Sequence, residues 1–317
     1  MRLRLSVPLL VCTALLAANH VNAEPSGKVE SDELDLVKLL NVEVSTATKT
    51  SESLDDAPAV ITVITQDDIQ RWGYQTVGEV LQHTVGFYLV DDQITPNAGV
   101  RGMTGGLGSE SGTIKVMIDG RSVAYRTTSG NWLGIELIPL GSIAQIEVIR
   151  GPASALYGAD AFLGVVNIIT VKPDHLRPVR ARLVSGRSAG AQSTWGEIVG
   201  GTRLGDFDFL VGAAGEYGSS GSLSLPPESP APTLAPGLGT RRTAVNLERR
   251  SLVLQTRIGY RPNQFDHLVL AVYGSGMQRG GDFAQWAQLT NGNIYGDNTG
   301  GTSIGLQQLR TNIDGVK

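Results

Sequence analysis

From Pro173 onward the sequence alternates at every second position, the period of a β-strand and not of a helix. After an opening run at 180–185, the runs 192–203, 207–217, 247–260 and 265–276 follow, each about ten residues or more, the length of a membrane-crossing strand. Phe207, Phe209, Val211 and Ala213 share one face of their run, with Asp206 and Asp208 on the other. In the next run Leu252, Leu254, Thr256, Ile258 and Tyr260 oppose Arg249, Ser251, Gln255 and Arg257. Such a sheet has one apolar and one polar face.

A soluble sandwich alternates as well, so the connections must separate the two architectures. Leu204-Gly205-Asp206 and Arg261-Pro262-Asn263-Gln264 are tight turns, whereas 218–246 and 279–301 are long. Short and long connections in alternation are the pattern of an outer-membrane barrel, with short periplasmic turns and long external loops. Phe207, Tyr260 and Phe265 flank the short turns, where an aromatic girdle is expected.

The start of the chain agrees with export. Arg2 and Arg4 precede an uncharged apolar stretch at 5–18, and Val21-Asn22-Ala23 supplies small residues for cleavage before Glu24, so 1–23 reads as a signal peptide. The single cysteine, Cys12, lies inside it. A disulfide scaffold, a thiolate metal site and a cysteine nucleophile are therefore not expected in the mature chain.

Composition closes further classes. Of 317 residues 40 are Gly, and only 18% are charged. Average glycine usage is about 7%, and such an excess favours turns and extended chain. No apolar stretch long enough for a membrane helix follows the first 20 residues. The net charge of −4 and scattered basic residues argue against a nucleic-acid surface.

Between these ends lies a compact α/β block. Val60 to Ile64 reads as a buried strand. Thr65-Gln66-Asp67-Asp68 and Thr76-Val77-Gly78-Glu79 have the Thr-x-x-acid spacing in which side chains cap orphan helical amides. Lys115-Val116-Met117-Ile118 leads into a tight turn at Asp119-Gly120, and 143–149 and 163–170 are two more strands around a short helical stretch at 153–157. The acid pairs Asp67-Asp68 and Asp91-Asp92 fit capping and loop solvation better than acid–base catalysis. The glycine-rich segment 102–112 matches neither phosphate-binding pattern, and His20, His83, His175 and His267 stand too far apart to suggest a metal centre. No catalytic residue, resident metal or cofactor is expected.

The segments NVEVSTATKT (41–50), DAPAVITVITQDDI (56–69), VMIDGR (116–121) and IEVIRGPASALYGADAFLGVVNIIT (146–170) resemble the TonB-dependent outer-membrane receptors. The resemblance is strong over about 40–172 and rests on texture beyond. It implies an α+β plug domain inside an antiparallel barrel of 22 strands, with signal peptide at 1–23, a mobile lead carrying the TonB box at 24–49, plug at 50–176, and the first five or six barrel strands at 177–317. It also implies capture of a scarce ligand, a ferric siderophore, haem or cobalamin, and import energised by TonB with ExbB and ExbD. Iron or cobalt would be cargo, not cofactor. Outer-membrane lipid is the expected surroundings.

Residue by residue, the resemblance places the TonB box at Val42, Glu43, Val44, Ser45, Thr46 and Ala47, whose alternation suits addition to another protein's sheet edge. Arg101 and Arg150 match plug arginines that pair with barrel glutamates, a plug–barrel lock. Tyr125, Arg126 and Trp132, in loops at the plug apex, are ligand-binding candidates. The span 177–317 is too short for 22 strands of about ten residues each. The chain is therefore expected to be a fragment of a longer frame, or else a truncated, non-transporting receptor or surface binding module.

Overall fold

The computed structural model describes residues 43–44, 52–53, 60–91, 96–103, 112–124, 130–172, 179–188, 191–219, 223–224, 243–244, 248–263, 267–281 and 302–316. They begin with two short paired strands, β1 (Glu43–Val44) and β2 (Glu52–Ser53).

β3 (Ile61–Thr65) runs into α1 (Gln66–Trp72) through a capping box. The Thr65 hydroxyl accepts from the Asp68 amide at 3.2 Å, while the Thr65 amide donates to Asp68 Oδ2 at 3.0 Å. Two otherwise orphan donors are thus satisfied. Gly73, at φ 69°, ends the helix in the left-handed region that glycine reaches without steric cost. In α2 (Val77–Gln82) Thr76 caps the Glu79 amide at 3.1 Å. The Glu79 carboxylate, however, accepts from Gln75, one residue before the cap, at 2.8 Å.

β4 (Phe87–Asp91) and β5 (Pro96–Val100) form a separate hairpin. A second one joins β6 (Ile114–Ile118) to β7 (Arg121–Ser122). Its two turn residues, Asp119 and Gly120, both have positive φ, 48° and 77°, the requirement of a type I′ turn. Asp119 is held there because its carboxylate accepts from the amide and hydroxyl of Thr170 at 2.9 and 2.8 Å. A 3-10 turn at Leu140–Ser142, then β8 (Ile143–Arg150), α3 (Ser154–Tyr157) and β9 (Gly164–Thr170), complete the block. The five-stranded sheet has the order β3-β8-β9-β6-β7, with only β6 and β9 parallel. β3 is its edge strand and is half-buried along its whole length, so the buried strand expected at 60–64 is corrected: among the described strands only β8 pairs with it.

Ile69, Val80, Leu81, Ile143, Ile146, Val148 and Ile168 form the core of the block. Each such side chain contributes about 1.5–3 kcal/mol on burial. The same cluster continues onto Ala271 and Tyr273, which belong to the second layer.

That layer is a wall of six long strands: β10 (Val179–Ser188), β11 (Ala191–Leu204), β12 (Phe207–Ser219), β15 (Glu248–Tyr260), β16 (His267–Gly281) and β17 (Thr302–Val316), each antiparallel to the next. The small pair β13 (Leu223–Ser224) and β14 (Thr243–Ala244) lies in the connection between β12 and β15. Gly205, at φ 59°, turns β11 into β12. The wall is inside out by the standards of a soluble protein. Leu183, Val211, Leu252 and Leu254 are 77%, 57%, 53% and 52% exposed on its outer face, whereas Glu197, Asp208, Gln255 and Arg279 are buried on its inner face. An apolar outer face on strands of this length suits hydrocarbon and not water. At the turn end Phe207 stacks on Tyr260 with 4.7 Å between ring centroids, as an aromatic girdle requires. Phe265 lies outside the described residues.

One connection differs from expectation. β16 continues to Gly281, so Arg279 belongs to a strand and not to the long loop predicted from residue 279. Alternation persists through Ala271, Tyr273, Met277 and Arg279, all buried on the inner face.

Candidate functional site

The inner face of the wall meets the α/β block along a polar seam. Glu197 on β11 accepts a hydrogen bond from the Gly141 amide at 2.9 Å, at the 3-10 turn. The same carboxylate pairs with Arg182 of β10 at 3.7 Å, and Arg182 donates to the Tyr74 carbonyl at 3.1 Å. Between α1 and β10 this leaves a cleft of about 710 Å³, lined by Asp67, Gln70, Arg180, Arg182 and Glu197. Near the turn end of the wall, Arg257 reaches Thr170 Oγ1 and the Val171 carbonyl, each at 3.4 Å. There too Asp208 is paired with Arg261 at 2.9 Å and Arg203 at 3.8 Å.

Toward the opposite end of the wall is a denser cluster. Arg279 is 1% exposed and lies 3.1 Å from Glu216 of β12 and 3.6 Å from Glu136 of the block. It also donates to Ser251 Oγ at 2.9 Å and to the Arg250 carbonyl at 3.0 Å. Arg249 of β15 stands 3.9 Å from Glu216 and 3.8 Å from Asp91 at the end of β4. Block and wall are therefore joined by charge pairs in which the block supplies acids and the wall supplies arginines. Burial pushes the Glu136 carboxyl above the usual carboxylate range, opposed by the Arg279 guanidinium.

The sequence-predicted residues are distributed differently. Arg101 is exposed, at φ 50° in a turn beside Gly102, and its amide donates to the Gly86 carbonyl at 3.1 Å. Arg150 ends β8, with its Nε buried and without a hydrogen-bond partner. Among the described residues neither guanidinium pairs with a carboxylate; the observed pairs are of the opposite polarity. Trp132 is 5% exposed, so its ring is packed inside and offers no open face. Glu43 and Val44 form β1, paired with Ser53 and Glu52. Val42, Ser45, Thr46, Ala47, Tyr125 and Arg126 lie outside the described residues.

Sequence reasoning missed Glu136, Arg279 and Glu216. Arg279 was within reach of the period-two pattern had it been carried past Gly276. Glu136 had no local signal, because its partners come from strands far along the chain.

Residues 53–165 match the family model described as the TonB-dependent Receptor Plug Domain. The iron-regulated outer membrane virulence protein of Vibrio cholerae serotype O1 is 37% identical over 143 residues, which are 44% of this chain and 21% of that protein. Among solved structures, Pseudomonas aeruginosa FpvA bound to heterologous pyoverdines superposes with a TM-score of 0.54 at 19% identity, over 75% of this chain and 28% of that one. The ferric-catecholate import receptor Fiu of E. coli K12 gives 0.52 at 17% identity, over 74% and 29%. Likeness at such low identity speaks for the fold alone, and the chain spans about a fifth to a third of the length of these relatives. Residues 53–165 thus carry a TonB-dependent receptor plug domain, and the antiparallel wall strands pack against that block as in these outer-membrane receptor structures.

Proposed function

We propose that this chain is the plug and first barrel strands of a receptor that imports a ferric chelate across the outer membrane, energised by TonB with ExbB and ExbD. The carrying observation is the seam itself. A folded plug is held to the polar face of a lipid-facing wall by ion pairs and hydrogen bonds, contacts that can open and close again. The relative's name, an iron-regulated outer membrane virulence protein, supports iron over haem or cobalamin as cargo. Within this reading Val42 to Ala47 is the box that adds as a strand to TonB, Arg101 and Arg150 meet barrel carboxylates beyond the described residues, and Tyr125 and Arg126 meet the chelate from the loop at 122–132.

The test is uptake of radiolabelled ferric siderophore by iron-starved cells expressing the full-length receptor. Val44→Pro removes a backbone donor from the added strand. Uptake is expected to fall to background while binding to whole cells is retained; undiminished uptake would reject the assignment of the box. Arg126→Ala is expected to weaken binding of an anionic chelate about tenfold, the scale of one charge-assisted hydrogen bond.

A further inference from the structure

Three carboxylates face two guanidiniums where plug and wall meet. Glu136 and Glu216 share Arg279, and Arg249 is shared by Glu216 and Asp91. Glu136 is the least provided for. Its side chain is 0% exposed, and neither oxygen accepts a hydrogen bond from another residue. Its one ionic partner, at 3.6 Å, stands closer to Glu216, at 3.1 Å, and uses its other terminal nitrogen on Ser251 and the Arg250 carbonyl. The carboxylate is also wedged against the backbone: a Cβ added at Gly134 would lie 2.6 Å from both oxygens, so no room remains there for water. An ionised carboxylate in such a place carries a desolvation cost that half a guanidinium does not cover, and a bound proton is the simplest remedy.

We propose that Glu136 is a proton-binding site in the plug–wall seam, and that its proton sets how firmly the plug is seated. With the proton bound, two carboxylates balance two guanidiniums. Without it, a surplus negative charge is buried between plug and wall and repels Glu216. Burial raises the Glu136 pKa; Arg279 and the residue's own backbone amide oppose the rise, Glu216 adds to it and Arg249 opposes it. An acid whose pKa is raised in the folded state contributes its full stabilisation below the ordinary carboxylate range and loses it as pH climbs through the raised value. The plug is thus seated most firmly in mild acid and loosens with rising pH.

This rests on the transport reading only in that plug and wall must part, and the test does not use transport. Within residues 1–317 the sole cysteine is Cys12, and any further cysteine of the full receptor is replaced by serine. In a Cys12→Ser background Ser142→Cys places a reporter thiol at a plug position that is 0% exposed. Maleimide labelling of the full receptor in outer-membrane vesicles, in moderate urea, reports opening of the seam. Dividing the rate with native Glu136 by the rate with Glu136→Gln cancels the ionisation of the thiol itself. The ratio is expected to be smallest at the acid end, about pH 5, and to grow at least about five-fold further by about pH 8. Glu216→Gln, which removes the like charge, should move the rise to lower pH. A ratio constant with pH, or a rise displaced upward by Glu216→Gln, overturns the proposal. Loss of uptake with this profile intact would count against the transport reading alone.

Discussion

Thr65 closes a strand and opens a helix with one hydroxyl. Its exchange with Asp68 makes the junction of β3 and α1 independent of the distant packing, so Thr65→Ala should cost about 1 kcal/mol in urea unfolding followed by a plug-specific probe. Arg279 is the opposite kind of residue, set entirely by its tertiary surroundings. Arg279→Met would leave the buried Glu136 and the half-buried Glu216 with fewer partners, and a loss of about 3–5 kcal/mol is expected in the same measurement. The contrast explains what could be read in advance. Capping is local, with donor and acceptor three residues apart, and both Thr-x-x-acid starts were legible in the sequence, although Glu79 serves Gln75 and not Thr76. The seam partners of Arg279 are brought together only when three strands, β12, β15 and β16, and a plug loop have packed.

At the scale of elements, period two carried nearly everything about the wall. It located five of the six long strands and assigned Val211, Leu252 and Leu254 to one face and Asp208 and Gln255 to the other. It could not say which face is outside, since a sandwich hides its apolar face and this wall exposes it. The exposed placement has a direct test. Leu254→Arg puts a charge into hydrocarbon and should lower stability in lipid vesicles by about 2–4 kcal/mol if Leu254 sits near the midplane, whereas Thr202→Arg, beside the aromatic belt, should cost about 0–1 kcal/mol. In the plug, Gly164 is needed for a different reason. A Cβ there would stand 2.9 Å from the Ile149 carbonyl in the neighbouring strand, and paired backbone in mid-sheet has little freedom to retreat. Gly164→Val should therefore unfold the plug at lower urea while leaving the amide signals of the wall strands unchanged.

At the scale of the whole molecule the two layers share one core, because Ala271 and Tyr273 of the wall join the cluster built by Ile69, Leu81, Ile146 and their neighbours. Removing the plug as a rigid piece would uncover that apolar surface and open the charge pairs together. The position of β3 offers a gentler route. It is a half-buried edge strand, the first of its sheet in chain order, and its pairing with β8 begins at Ile61↔Ile149 and ends at Thr65↔Gln145. A tug on the chain ahead of residue 60 falls first on a single rung of that five-rung ladder. Rungs loaded in turn give way at lower force than rungs loaded at once, so a pull directed across the sheet from the Ile61 end would peel away one strand before it moved the plug.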